Sequence, residues 1–125
     1  MNKPDFLYVD LTDKIIKSAI TVHKTIGPGY NEIIYERALM KQLEKDGINY
    51  ENQKRIDIYY LEEKIGYHFL DLVVDKKVIV ELKAISDLSN VYLSQVISYL
   101  KATNLKVGLV LNFAAPTLEI RRVAV

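Results

Sequence analysis

The segment VVDKKVIVELKAI, residues 73–85, constrains the fold more than any other. Val78, Ile79, Val80 and Leu82 read as a buried central strand, apolar at successive positions. Glu81 and Lys83 interrupt that run two residues apart, and in a strand this spacing puts both on one face. Burying either ion alone costs several kcal/mol, so each needs a partner or a metal. Taken alone, the two read as a structural Glu–Lys pair near a strand end.

The rest of the chain supplies a frame for such a strand. Leu11, Ile15, Ala19, Ile20, His23 and Ile26 recur at three- and four-residue steps, so a helix is expected from Leu11. Thr12 or Asp13 can cap it, and Gly27-Pro28-Gly29 ends it. A second helix is expected from about Tyr30 to Asp46, with Ile34, Tyr35, Ala38, Leu39 and Leu43 as its apolar face and Gly47 as its stop. The period then becomes that of strands, at 53–60, 66–75 and 77–84, the last two separated by the turn Asp75-Lys76-Lys77. Asp87–Thr103 returns to helix, and Lys106–Phe113 and Leu118–Val125 are two more strands. The order ααβββαββ predicts an α/β fold with a central mixed sheet flanked by helices. The third and fourth strands should run parallel through a right-handed crossover.

A second acid stands in a second apolar run. Asp71 lies in YHFLDLVV, and alternation puts it on the face of Phe69 and Val73, against Leu70 and Leu72. A tight hairpin would bring it beside Glu81. Two carboxylates held close repel, and one takes up a proton unless a cation sits between them. Oxygen ligands of this kind favour Mg²⁺ or Mn²⁺ over zinc. Glu32, in the first turn of the second helix, is a third acid on the side of Tyr35, Leu39 and Leu43, where it also suits the helix dipole. Tyr92, Gln95 and Tyr99 share one face of the third helix and can form a polar row beside a metal site. His23 reads as a hydrogen-bonded core or rim histidine.

Composition narrows the chemistry. There is no cysteine, so thiolate nucleophiles, disulfides and Cys-ligated metals are excluded. Seventeen Lys and Arg against sixteen Asp and Glu give a net charge of +1, which rules out a long-range basic field but not a local groove. The 125 residues fit one domain, 1–125. No apolar run is long enough for a membrane span, and MNKPDFLYVDLTDK carries acids where a signal peptide needs an apolar stretch, so a cytoplasmic chain is expected.

Several blocks in order carry a resemblance. GPGYNEIIYERAL, with Gly29, Glu32 and Tyr35, resembles the signature of the GxxExxY protein family. VHKTIGPG, VIVELKA, QVISYLKAT and VGLVLNF resemble that family's other blocks, so the likeness runs from about Leu11 to Arg122. The family is placed in the PD-(D/E)XK nuclease-like superfamily, and the resemblance implies a restriction-endonuclease-like core. It implies that Asp71, Glu81 and Lys83 match the D…E-x-K motif and that Glu32 matches the helix acid before it. Gln95 and Tyr99 match the Q-x-x-x-Y element of RecB-type exonucleases. Phe69 stands where many members carry Arg, and Tyr92 where many carry His.

The expected activity is metal-dependent hydrolysis of phosphodiester bonds in nucleic acid, with DNA favoured over RNA. Asp71, Glu81, Glu32 and the Leu82 carbonyl would hold Mg²⁺ or Mn²⁺. Lys83 would orient water or neutralise developing charge. Gln95, Tyr99 and Lys101 would meet the substrate. Lys76, Lys77, Lys106, Arg121 and Arg122 are further candidates for backbone contacts. The alternative is a non-catalytic nuclease-fold subunit of a partner protein. A homodimer is compatible with either.

Overall fold

The helices arise where the three- and four-residue periodicity places them. The computed structural model describes residues 6–125, so residues 1–5, which open the acid-bearing N-terminus, lie outside the described residues. Helix α1 spans Val9–Ile26 and α2 Glu32–Lys45. The first begins before Leu11, after Tyr8 in a left-handed conformation (φ 59°). Thr12 therefore lies inside the helix instead of capping it, and its hydroxyl donates back to the Val9 carbonyl at 3.1 Å. Gly27 ends α1 at φ 74°, a conformation glycine adopts without strain, just before Pro28. Gly47 closes α2 in a Schellman turn: its amide donates to the Glu44 carbonyl (3.2 Å) and that of Ile48 to Leu43 (2.9 Å). Ile34, expected on the apolar face, is exposed; the buried line is Tyr35, Glu36, Leu39 and Leu43.

Strands β1 (Tyr50–Tyr60), β2 (Glu63–Val74) and β3 (Val78–Lys83) follow, then α3 (Asn90–Thr103), β4 (Val107–Asn112) and β5 (Glu119–Ala124). They form one sheet in the order β1-β2-β3-β4-β5. The β3–β4 pair is parallel and the other three pairs are antiparallel. This is the mixed sheet the element order requires, because β3 and β4 are joined through α3. In the three-residue turn Asp75-Lys76-Lys77, Asp75 and Lys76 are left-handed (φ 52° and 57°) and the Lys77 amide donates to the Val74 carbonyl at 3.0 Å.

The sheet is covered on both faces. Ile15 and Ala19 of α1 and Leu39 and Leu43 of α2 share a core with Leu72, Val74, Val80, Leu109 and Leu111. On the other face Val96 and Leu100 of α3 pack with Leu70, Val73, Ile79 and Val110. Every residue of β4 is buried, as its unbroken apolar run demands. A Cβ on Gly108 would lie 2.5 Å from Val96 Cγ1, so the missing side chain is what lets α3 approach β4.

One expectation about faces fails. Leu70 packs under α3 with Val73, not with Leu72 on the opposite face. Simple alternation cannot hold between Leu70 and Val73, three residues apart, so the strand changes phase around Asp71. The partner strand is irregular at the same level: Gln53 has φ 49°, and the β1–β2 register passes from Asn52↔Leu72 to Lys54↔Leu70.

Candidate active site

The β2–β3 ladder holds Val74↔Val78, Val73↔Ile79 and Leu72↔Val80, and then stops. The next pair in that register would be Asp71 with Glu81. Their side chains replace the backbone bonds. The Asp71 amide donates to Glu81 Oε2 at 2.8 Å, and the Leu82 amide donates to Asp71 Oδ2 at 3.0 Å. The two carboxylates thus cross between strands, each held by the other strand's backbone. N–H and C=O of one residue point to the same edge of a strand, so the Leu82 carbonyl faces the same gap.

Glu81 is buried, whereas Asp71 keeps partial access to solvent. Burial first, and the charge of Asp71 second, push the Glu81 carboxyl up to about 8; the Asp71 amide and the charge of Lys83 offset this only in part. Lys83 forms no ion pair within 4.0 Å of either acid among the described residues; its Nζ lies 4.6 Å from the centre of the Tyr92 ring. The plain Glu–Lys pair is therefore replaced by a cation held on an aromatic face.

Helix α3 closes this side of the site. Burial, then the charges of Glu81 and Asp71, raise the Tyr99 phenol above its ordinary range, which marks its closeness to both acids. Its ring stacks on His68 of β2 at 4.5 Å and 21°. Gln95 is exposed one turn before Tyr99. Lys101 is exposed too, but at roughly 100° per residue it lies on the far side of α3 from Tyr92 and Tyr99.

Helix α2 reaches the site through a residue the sequence reading did not select. Glu32 is exposed at the start of α2, and no hydrogen bond among the described residues joins it to Asp71 or Glu81. Glu36, one turn later, is buried. Its Oε1 accepts from Asn52 Nδ2 (2.9 Å) and Gln53 Nε2 (2.7 Å). Asn52 also donates to the Asp71 carbonyl (3.1 Å), and Gln53 Nε2 reaches Asp71 Oδ1 at 3.5 Å. The only sequence signal for Glu36 was an acid directly after the buried Tyr35. Nothing local pointed to Asn52, Gln53 or His68.

Other candidates lie elsewhere. His23 is buried with Nε2 2.9 Å from the Ala115 carbonyl oxygen, as a core or rim histidine would be. Tyr35 stacks on Phe113 at 4.6 Å and donates to the Gly27 carbonyl (2.6 Å), a structural tie. The Arg122 guanidinium binds Thr12 and the Leu7 carbonyl, which takes it off the list of backbone-contacting cations. Arg121 pairs with Glu119 (3.1 Å) and Lys77 with Asp75 (3.6 Å).

Among the described residues no three acidic or imidazole side chains converge as a metal cage. The set at the gap is two carboxylates and one carbonyl. That suits Mg²⁺, which takes one or two carboxylates, keeps several waters and accepts substrate phosphate oxygens. Two acids crowded until one is driven to hold a proton are also what a divalent cation would relieve.

A family model described as the PD-(D/E)XK nuclease superfamily matches residues 9–123. The chain belongs to this superfamily. The resemblance to the GxxExxY proteins is consistent with that membership. Among solved structures, SSO0001 is similar at 12% sequence identity and a TM-score of 0.53, over 91% of this chain and 77% of that one. At that identity the likeness concerns the fold. A comparison with curated proteins found no match. For a member of the PD-(D/E)XK nuclease superfamily, the restriction-endonuclease-like α/β core is the expected frame. Among the described residues, no helix of this member is long and apolar enough to cross a membrane.

Proposed function

We propose that this protein hydrolyses phosphodiester bonds in nucleic acid, DNA more readily than RNA, with Mg²⁺ or Mn²⁺. One observation carries the reading: the sheet opens at Asp71 and Glu81, with Lys83 on the same strand face and paired to neither acid. Asp71, Glu81 and the Leu82 carbonyl would hold the cation. When bound, such an ion acidifies water and neutralises phosphoryl charge.

The chain's own residues do the rest. The Asp71 and Leu82 amides fix both carboxylates before any substrate arrives, so little reorganisation is needed. Lys83, held over Tyr92, presents a positive charge that the acids have not consumed, available to the attacking water or the developing phosphoryl charge. Tyr99 and Gln95 line the approach along α3. Gln53 holds Asp71 toward Glu36, which gives α2 a positioning part. Glu32, exposed one turn earlier, is available to solvent and substrate rather than to the pair. Lys101 contributes, in this reading, only as a distant surface charge.

The test is cleavage of labelled single- and double-stranded DNA and RNA with Mg²⁺ and with Mn²⁺. Glu81→Ala and Lys83→Ala should each lower the rate by about 100-fold or more, with far-UV circular dichroism unchanged. Activity that survives both substitutions would sink the assignment.

A further inference from the structure

Strands β1 and β2 run on together well past the rest of the sheet. β3 meets β2 only at Leu72, Val73 and Val74, whereas the β1–β2 register continues to Tyr60↔Glu63. A two-stranded ribbon is marginal in water unless another layer covers it. Helix α3 covers its base, where Ile56 and Leu70 join the core around Leu100. The outer part carries Tyr59, Tyr60, Leu61, Ile65, Tyr67 and Phe69, each between 45% and 80% exposed. Tyr67 and Phe69 meet edge to face at 5.7 Å, with the Arg55 guanidinium 4.2 Å over the Tyr67 ring.

We propose that this arm is the surface through which two copies of the chain associate. Area is the first argument. At about 200 Å² for a large side chain, these six expose on the order of 750 Å², polar atoms included and summed over both faces and the tip of the ribbon. A second copy clasping the ribbon would cover an area close to the roughly 800 Å² each partner gives a standard interface.

Charge is the second argument, and it chooses the occupant. Residues 54–69 hold Lys54, Arg55 and Lys64 against Asp57, Glu62 and Glu63, a balance of zero. A nucleic-acid surface needs excess cation. Here the cations are already matched: Lys54 with Glu51 (2.9 Å), Arg55 with Asp57 (3.2 Å) and Lys64 with Asp57 (3.4 Å). An apolar stripe with both signs at its rim is self-complementary across a two-fold axis. β1 is also an outer strand of the sheet, with a backbone edge open to pairing.

Sedimentation velocity from low to high micromolar concentration tests this. The wild type should pass reversibly from monomer to dimer. Tyr67→Lys with Phe69→Lys, and separately Tyr60→Lys with Leu61→Lys, should stay monomeric where the wild type is dimeric, with unchanged far-UV circular dichroism. The second pair lies at the tip, beyond the base covered by α3, and keeps the test decisive if the first pair misfolds. Because the chain has no cysteine, Leu61→Cys takes a single dye, and mixed donor- and acceptor-labelled copies should show energy transfer. A wild type that stays monomeric throughout overturns the proposal, as do charged variants that dimerise normally. Loss of oligonucleotide binding in the variants of a monomeric wild type would also overturn it and assign the arm to nucleic acid.

Discussion

Glu81 sets stability against readiness for chemistry. Unfolded, its carboxyl titrates near the ordinary 4.5; folded, burial and Asp71 push it up to about 8. Between those values the folded chain holds a proton that the unfolded chain has released. The contribution of Glu81 to stability is therefore full below the unfolded value and is lost as pH rises through the folded one. In metal-free buffer, thermal melts of the wild type and Glu81→Gln should diverge from about pH 5 to about pH 9, with the Gln variant several degrees more stable at the upper end. Glutamine keeps an oxygen for the Asp71 amide and carries no charge to titrate. A parallel pH dependence in the two proteins would contradict this. Asp71, Glu81 and Lys83 were legible in the sequence because a charge in an apolar run stands out. Glu36 was not, because its burial depends on Asn52 and Gln53 from a strand sixteen and seventeen residues away. Nor did anything local mark Gln53 as left-handed, since glutamine has no preference for that conformation.

At the scale of elements, helix and strand order followed from periodicity, and parallel β3–β4 pairing followed from the intervening helix. Strand phase did not. Alternation assumes an unbroken ladder, and the ladder breaks at Asp71, so Leu70 went to the wrong face on paper. The contact of α3 with β4 also depends on a residue that sequence reading passed over. Gly108→Ala should destabilise the protein by about 1–3 kcal/mol, because the new methyl drives Val96 from its place. Val96→Ala removes the obstructing methyl, so in chemical denaturation the double variant should lose less than the sum of the single losses. Additive losses would show that α3 does not meet β4 where described.

Across the whole molecule, distant segments are tied at a few polar points. Asn112 is buried where β4 ends. Its Nδ2 donates to the Ile85 carbonyl (2.9 Å) and to Glu119 (3.0 Å), while its Oδ1 accepts from the amides of Ile85 (3.1 Å) and Ala114 (3.3 Å). The Phe113 amide donates to the Lys83 carbonyl (2.8 Å). One side chain thus joins the exit of β3, the exit of β4 and the start of β5. Asn112→Ala leaves several buried groups unpaired and should cost about 2–3 kcal/mol in chemical denaturation. Hydrogen exchange should speed up first at the Ile85 and Ala114 amides. Arg122 makes a comparable tie between β5 and α1, which is why a cation that the sequence offered for substrate-backbone contacts is structural.

The crossed carboxylates have a consequence that reaches into solution. A chain that keeps a proton on one of two ligands cannot take up a cation without releasing it. In the proposed reading, Mg²⁺ or Mn²⁺ binding at neutral pH should expel close to one proton per site. Titration calorimetry in buffers of different ionisation enthalpy should then give different apparent heats, whose slope counts the proton. In Glu81→Gln that slope should vanish. The site would behave as an exchanger, trading hydrogen ion for metal ion, and its affinity would climb with pH across the range where cells live.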